Sequence, residues 1–203
     1  MKKLVASSMV AALLALALVL PASAATLAVG TAAPDFTATA SLAGKDSTFS
    51  LQKALAKGPV VVYFFPAAYT GGCDLEAHTF AVEKAKFVKA GATIIGVSAD
   101  SVARLNQFSS DPKYCAGQFA VASDPSGKIA AQYGVAMMPP QKGVIDVTGK
   151  PVTHGFFART TFVINRDGKI VKVLSSSADH LSPDQHVTDS LAIVQKLQAG
   201  KAL

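Results

Sequence analysis

One of the two cysteines in the sequence lies where a thiol can become reactive. Cys73 follows an apolar run at 60–65 that is typical of a strand buried on both faces. It lies in the first turn of a predicted helix over 72–90. Unpaired backbone N–H groups and the helix dipole stabilise an anion there, so the pKa of the thiol can fall well below its free value of about 8.5. The alternative is a buried or disulfide-linked cysteine without chemistry.

The elements that must position this cysteine alternate between strands and helices. The helix over 72–90 carries Leu75, Val82 and Phe87 among polar residues, and Gly91 is placed to cap it. Further strands are predicted at 93–98, 119–122, 160–164 and 170–174, the last two joined by a hairpin turn at Asp167-Gly168. Further helices are predicted from Asp100 or Ser101 through Phe108, before Gly134, and from Ser182-Pro183 with Val187, Leu191, Val194 and Leu197 on the core side. Pro34 to Phe36 is an extended entry, and 135–156 is expected to be loop plus an edge strand. This order predicts a three-layer α/β sandwich.

Composition excludes several classes of protein. The 203 residues, 50% hydrophobic and 16% charged, are enough for one globular domain and too apolar for disorder. The formal net charge of +6 comes from scattered Lys and Arg rather than a basic face, so we expect no nucleic-acid partner. Two cysteines exclude a disulfide-dense scaffold. His78, His154, His180 and His186 show no metal-ligand spacing, so we expect no metal or cofactor, with His180 and His186 at the surface.

The first 24 residues have the pattern of a secretion signal. Lys2 and Lys3 precede an apolar run at 9–20, and Pro21 and small residues follow it. The run is shorter than the roughly 20 residues that span a bilayer, which argues against a membrane anchor. We expect cleavage after Ala24, a domain over 25–203, and a periplasmic or secreted protein that is not bound to a membrane.

The surroundings of Cys73 resemble the peroxiredoxins. Pro66, Thr70 and Cys73 have the spacing P-x-x-x-T-x-x-C. Four further segments resemble that family in the same order, at 30–36 (GTAAPDF), 96–101 (GVSADS), 123–134 (SDPSGKIAAQYG) and 159–164 (RTTFVI). The branch that the chain resembles is the bacterioferritin-comigratory-protein, or peroxiredoxin Q, type. The resemblance implies a thioredoxin-like three-layer α/β/α sandwich with a central mixed sheet, and a thiol-dependent peroxidase.

The resemblance also implies roles for the matching residues. Cys73 would attack the peroxide and become a sulfenic acid, while the Thr70 hydroxyl and the Cys73 N–H would hold the substrate. Arg159 would supply a cation that stabilises the thiolate and the leaving oxygen. Pro66 would wall the pocket, and Glu76 would orient Arg159 through an ion pair. Taken singly, each residue also has a structural interpretation: a helix cap for Thr70, a solvated ion pair for Glu76 with Arg159, and a strand stop for Pro66.

The second thiol and the partners follow from the same resemblance. Position 78, where many members of this branch have a resolving cysteine, is a histidine here, and Cys115 is the candidate resolver. The alternatives are a one-cysteine mechanism, or Cys115 paired between subunits. Expected partners are a peroxide and a thioredoxin- or glutaredoxin-like dithiol protein, with the chain a monomer or weak homodimer. Two other functions stay open: a periplasmic thiol–disulfide oxidoreductase, although Glu76 replaces the second cysteine of C-x-x-C, and a non-catalytic domain with a structural Cys73–Cys115 disulfide.

Overall fold

The computed structural model describes residues 25–202, in which a seven-stranded sheet lies between two layers of helices. The predicted signal peptide falls on residues 1–24, which lie outside the described residues. The strands are β1 (Thr37–Leu42), β2 (Lys45–Ser50), β3 (Val60–Phe64), β4 (Thr93–Ser98), β5 (Ala120–Ser123), β6 (Met137–Met138), β7 (Phe156–Phe157), β8 (Thr160–Ile164) and β9 (Ile170–Ser175). The helices are α1 (Leu51–Leu55), α2 (Gly71–Lys89), α3 (Val102–Ser110), α4 (Lys128–Gln132) and α5 (Pro183–Gln198). Within residues 25–202, no helix is both long enough and apolar enough to cross a membrane.

The sheet is mixed, as the sequence predicts. Its strand order is β2-β1-β5-β4-β3-β8-β9. Strands β3, β4 and β5 are parallel, whereas β8 pairs antiparallel with β3 at the centre, and β1 pairs antiparallel with β5. The carboxyl end of β3 therefore lies beside the amino end of β8, and the residues just outside these two strand ends become neighbours.

Strand β3 supplies side chains to both hydrophobic layers. Val61 and Tyr63 pack with α2, α3 and α5, whereas Val60, Val62 and Phe64 pack with α1 and α4. This alternation is the two-residue period of a strand covered on both faces. The three-layer sandwich is thereby confirmed.

The buried face of helix α2 is not the one that carries most of its larger apolar residues. Leu75 and Val82 are 47% and 65% exposed. The buried residues are Cys73, Glu76, Ala77, Phe80 and Phe87. These positions are separated by the three- and four-residue steps that place side chains on one helix face, and Leu75 and Val82 lie off that face. Cys73 and Glu76 consequently point into the core.

Two regions of the sheet differ from the prediction. The structure adds a hairpin, β1–β2, whose turn places Ala43 and Gly44 at φ of 51° and 79°, as two-residue hairpin turns require. Strand β1 (TATASL) is rich in small residues, so a search for runs of aromatic and β-branched residues does not predict it. Residues 135–156 contain loop and a short strand, β6, as predicted, but this strand does not lie in the main sheet. Strand β6 pairs instead with β7 in a separate two-stranded sheet, and the edges of the main sheet are β2 and β9.

His186 of α5 is buried, contrary to the predicted surface position, whereas His180 is exposed. The Ser176 hydroxyl donates to the Leu181 carbonyl at 2.9 Å, so His186 Nε2, 3.0 Å from that hydroxyl, must donate to it. His186 Nδ1 then accepts from the Thr161 hydroxyl at 2.9 Å. The neutral ring is therefore fully hydrogen-bonded. Burial, followed by the positive charge of Arg159, lowers the pKa of His186 to about 4.

Lowering the pH should destabilise the folded protein because His186 resists protonation in the fold. The unfolded chain takes up a proton near pH 6.5, whereas the folded chain resists until about pH 4, so stability is lost as pH falls through that interval. Urea unfolding at pH 7 and at pH 4 should show that the wild type loses roughly 1–3 kcal/mol more than His186→Asn does, because groups that titrate with the opposite sign, such as Glu76, are common to both proteins. His180→Asn, at an exposed position, should lose as much as the wild type. An unchanged slope in His186→Asn would contradict the assignment.

Candidate active site

Cys73 lies just beyond the carboxyl end of β3. The Phe65 N–H continues the strand by donating to the Val97 carbonyl at 3.1 Å. Pro66 follows, and residues 67–70 form a turn that leads into α2. The Cys73 N–H donates to the Thr70 carbonyl at 2.8 Å, and Cys73 is only 2% exposed. The sulfur thus lies at the positive end of a long helix and almost out of solvent.

Thr70 occupies the N-cap position of α2, but its side chain makes no capping bond. Its hydroxyl donates to the Ala67 carbonyl at 2.7 Å. A hydroxyl has one hydrogen and two lone pairs. Thr70 can therefore still accept a hydrogen bond from another group. Pro66 is partly exposed at the start of the turn, and its role as a pocket wall stays a prediction.

Arg159 joins Cys73 to Glu76. One terminal nitrogen, Nη2, donates to Cys73 Sγ at 3.2 Å, and the other, Nη1, donates to Glu76 Oε2 in a close ion pair. A Cβ on Gly72 would lie 3.3 Å from Arg159 Nη2, so the glycine permits the close approach. The Ser176 N–H holds the Arg159 backbone by donating to its carbonyl at 3.2 Å. The structure therefore brings together Cys73, Arg159 and Glu76, which the sequence singled out.

Burial changes the acidity expected for Cys73. Burial raises the pKa of the Cys73 thiol, while Arg159, the backbone of Ala67 and the Thr70 hydroxyl oppose the increase. The expectation of a pKa well below its ordinary value is therefore wrong for this closed arrangement. The helix terminus favours the anion, but the loss of hydration outweighs it. Burial also raises the pKa of Glu76, to about 7, against the opposing charge of Arg159.

Cys115 lies in the turn after α3 and is a buried free thiol, as is Cys73. Burial raises the pKa of Cys115 well above its ordinary value, and the charges of Asp74 and Asp111 add to the effect. No cation is among the charges that act on it. Because Arg159 opposes the increase only at Cys73, burial raises the pKa of Cys73 less than that of Cys115, and the expectation that Cys73 is the more reactive thiol stays a prediction.

An aromatic cluster connects the two cysteine-bearing segments. The rings of Tyr69 and Tyr114 meet edge to face with centroids 5.2 Å apart, and both rings pack on Phe108. Tyr69 precedes Cys73 by four residues, and Tyr114 precedes Cys115 directly. Tyr69 and Ala116 have φ of 63° and 50°, a region that costs non-glycine residues about 1 kcal/mol or more. The segment before Cys73 and the segment around Cys115 therefore each contain a strained residue close to the Tyr69–Tyr114 contact.

Comparison with known proteins assigns this arrangement to a family. The family model described as AhpC/TSA matches residues 29–173. The chain belongs to the AhpC/TSA family. It is 35% identical over 152 residues to a Mycobacterium tuberculosis protein named as a peroxiredoxin, covering 74% of this chain and 86% of that one. It is 32% identical over 169 residues to chloroplastic peroxiredoxin Q of Oryza sativa subsp. japonica, covering 83% and 67% of the two chains.

Solved structures agree with the assignment. Peroxidoxin BcpB of Mycobacterium tuberculosis superposes with a TM-score of 0.67 at 29% identity, covering 83% of this chain and 97% of that one. The bacterioferritin comigratory protein of Xanthomonas campestris superposes with a TM-score of 0.60 at 26% identity, covering 79% and 91%. This peroxiredoxin is therefore of the peroxiredoxin Q type, an antioxidant oxidoreductase that reduces peroxides at the expense of a thiol donor.

Sequence reasoning missed several residues that touch the site of this peroxiredoxin. The sequence indicates Asp100 only as a candidate helix cap. In the structure Ser101 caps α3, and the Asp100 carboxylate accepts a hydrogen bond from the Ala68 N–H in the turn before Cys73. Its position after β4, at the same sheet edge as Cys73, is the one signal that could have indicated this role. Asp146 and His154, in the region after β6, carried no recognisable signal. Among residues 25–202, no group of three or more His, Cys, Asp or Glu could hold a metal ion.

Replacing Arg159 by lysine should separate charge from geometry. Lysine keeps a cation but cannot contact Sγ and the Glu76 carboxylate through a planar fork. In a Cys115→Ser background, alkylation should show a higher pKa for Cys73. The rate constant with peroxide should fall about 10²–10³-fold, as when one preorganised donor is lost.

The control is Arg166→Lys, at an exposed arginine, which should behave as wild type. The free energy of unfolding of Arg159→Lys should fall by less than about 2.7 kcal/mol, the equivalent of a hundredfold rate loss. Wild-type kinetics in folded Arg159→Lys would show that Arg159 does not serve the reaction.

Proposed function

We propose that Cys73 is the peroxidatic residue of this thiol peroxidase. The observation that carries the proposal is the Arg159 Nη2–Cys73 Sγ contact of 3.2 Å at the start of α2. The Cys73 thiolate attacks one oxygen of the peroxide, an S–O bond forms and the O–O bond breaks. The departing oxygen leaves with the electron pair, takes a proton and becomes water or an alcohol. Cys73 is left as a sulfenic acid.

Thr70 and Arg159 are placed to assist this step. Because the Thr70 hydroxyl already donates to Ala67, its lone pairs can accept the O–H of the peroxide. The Arg159 guanidinium stabilises the thiolate before attack and the charge on the leaving oxygen during it. The Cys73 N–H already donates to Thr70, so its contact with the peroxide would be a second, shared bond. Glu76 holds Arg159 in the required orientation.

Cys115 is the proposed resolving residue. Its thiol condenses with the sulfenic acid, forming a disulfide and releasing water. The contact between Tyr69 and Tyr114 supports the pairing because it places the two segments side by side. Both thiols are buried, and a disulfide needs Cα atoms within about 7 Å, so we expect the first turn of α2 and the turn containing Cys115 to rearrange. The strain at Tyr69 and Ala116 lowers the cost of that movement.

A dithiol protein of the thioredoxin or glutaredoxin type would then reduce the disulfide, and the chain would act as a monomer or weak homodimer. A thiol–disulfide oxidoreductase is less suited to this site, because Glu76 rather than a second cysteine lies one turn after Cys73. A non-catalytic domain with a structural Cys73–Cys115 disulfide accounts less well for the site, because it gives the Arg159–Cys73 contact no role.

Stepwise addition of peroxide tests the whole sequence of steps. One equivalent should convert reduced wild type into a species about 2 Da lighter, monomeric without reductant and with no free thiol. Cys73→Ser should consume no peroxide. Cys115→Ser should consume one equivalent and accumulate a sulfenic acid that excess peroxide oxidises further. Intact mass and thiol titration provide both readouts.

Three results would contradict these assignments. Peroxide consumption by Cys73→Ser at the wild-type rate would remove Cys73 as the peroxidatic residue. A stable sulfenic acid in the wild type would instead favour a one-cysteine mechanism, and a disulfide-linked dimer would favour pairing between subunits.

We also propose that residues 1–24 are a cleaved signal peptide and that the domain over 25–203 works in the periplasm. Residues just after the proposed cleavage site contact the folded domain. The Leu27 N–H donates to the Tyr133 carbonyl at 3.2 Å, and the Thr26 hydroxyl donates to the Gly134 carbonyl at 3.2 Å. N-terminal sequencing of exported protein should begin at Ala25. A retained Met1, or recovery only from the cytosol, would contradict the proposal.

A further inference from the structure

The region between β6 and β7 has no role in the mechanism described above, but it contacts the turn that precedes Cys73. The Val147 N–H donates to the Tyr69 carbonyl at 3.0 Å. Tyr69 lies in the turn at 67–70, whose last residue begins α2, and its φ is 63°. A distant segment of the chain therefore holds a strained residue four positions before the reactive sulfur.

Both backbone groups of the neighbouring residue, Ala68, are also held from outside the turn. The Ala68 N–H donates to Asp100 Oδ2 at 2.8 Å, and the Ala68 carbonyl accepts from Arg104 Nη2 at 3.1 Å. Arg104 Nε in turn forms an ion pair with Asp100 Oδ1, at 2.9 Å. The guanidinium lies 4.9 Å from the centre of the Tyr69 ring. Asp100 and Arg104 thus hold the two peptide units on either side of the Ala68 Cα, and the Arg104 guanidinium also stacks on the ring of Tyr69.

Asp146 and His154 connect these contacts to the region between β6 and β7. Arg104 Nη2 forms a close ion pair with Asp146 Oδ2, while Asp146 Oδ1 accepts from the backbone of Thr148 and of Lys150. His154 Nε2 lies 2.9 Å from Asp100 Oδ1, and its Nδ1 lies 2.8 Å from the Gly155 carbonyl. Both neighbours of the imidazole only accept, so a ring protonated on both nitrogens satisfies them. The two carboxylates then face two cations.

We infer that Asp100, Arg104, Asp146 and His154 form a loop clamp that positions Cys73 by fixing the turn at 67–70. The four residues touch neither Cys73 nor Arg159, so they are positioning residues. The clamp keeps the N-terminus of α2 at the distance from Arg159 that the reaction needs. It also opposes the unwinding that disulfide formation needs, a second part that rests on the proposed role of Cys115.

The clamp therefore affects the two chemical steps in opposite directions. Loosening it should slow the attack on peroxide, because Cys73 and Thr70 spend less time in register with Arg159. The same change should speed disulfide formation, because the first turn of α2 opens more often. A variant that only destabilises another part of the molecule would not be expected to slow the peroxide step while it accelerates disulfide formation.

Asp146→Asn is the sharpest variant. Every neighbour of the Asp146 carboxylate is a donor, namely Arg104, the Thr148 backbone and hydroxyl, and the Lys150 backbone. An amide –NH₂ in either orientation must face one of them. Arg104→Lys is a second variant, because lysine cannot span Asp100, Asp146 and the Ala68 carbonyl together. Tyr133→Phe is the matched control, since it removes one hydrogen bond, to the Pro34 carbonyl, in the opposite layer.

The measurements are amide hydrogen exchange of the reduced proteins and the rate constants of the two steps. Amides at 68–75 should exchange about 10- to 100-fold faster in Asp146→Asn, as expected when a hydrogen bond to a charged group is lost. The peroxide step should slow and the disulfide step accelerate, each by about tenfold. Arg104→Lys should change the exchange rate and both rate constants in the same directions as Asp146→Asn. Tyr133→Phe should leave all three unchanged.

The outcomes distinguish the clamp from the proposed resolving step. Unchanged exchange at 68–75, or a change equal to that in Tyr133→Phe, would overturn the clamp. An unchanged peroxide step in both clamp variants would overturn the positioning role. Faster exchange with a slower peroxide step, but no Cys73–Cys115 disulfide even in wild type, would support the clamp and reject Cys115 as the resolver.

Discussion

The Arg159 guanidinium lies between the sulfur of Cys73 and the carboxylate of Glu76, and all three are nearly or fully buried. An unpaired charge in such a place costs several kcal/mol, so each of the three depends on the others. Glu76 compensates Arg159, and Arg159 is the cation that a Cys73 thiolate can use. The ends of β3 and β8 and the first turn of α2 are what keep this triad assembled.

Burial has two opposite consequences for this chemistry. It raises the pKa of the Cys73 thiol, which lowers the amount of reactive thiolate. It also removes water that would weaken the interaction of the thiolate and the leaving oxygen with fixed donors. The site therefore relies on Arg159 and the helix terminus rather than on solvent. The same enclosure is the reason that the proposed disulfide step includes a rearrangement around Cys73.

The turn before Cys73 lies between two sets of contacts that act differently. On one side, Tyr69 packs with Phe108 and Tyr114, so the Cys73 and Cys115 segments share an aromatic surface. On the other side, Asp100 and Arg104 hold the backbone of Ala68 through charged groups. Aromatic packing tolerates sliding more readily than directed hydrogen bonds do. The balance between these contacts sets how rigid the site is.

The sequence alone predicted the elements around the site and singled out Cys73 as the candidate reactive thiol. The apolar run of β3, the helical pattern of α2 and the spacing of Pro66, Thr70 and Cys73 are local features, and local propensity and capping act over a few residues. Arg159 and Glu76 were identified as candidate site residues only through the resemblance to the family. The sequence thereby predicted the positions of nine of the fourteen helices and strands of residues 25–202 and the centre of the site, but not its surroundings.

Only the tertiary structure decided the burial of Cys73, the burial of His186 and the contacts of Asp100 with Ala68 and His154. Cys73 and Arg159 are 86 residues apart, and Asp100 and His154 are 54 apart. Desolvation depends on which distant side chains cover a group, and no local pattern encodes that. A helix N-terminus predicts a lowered thiol pKa, but the fold that places this terminus in the core raises it.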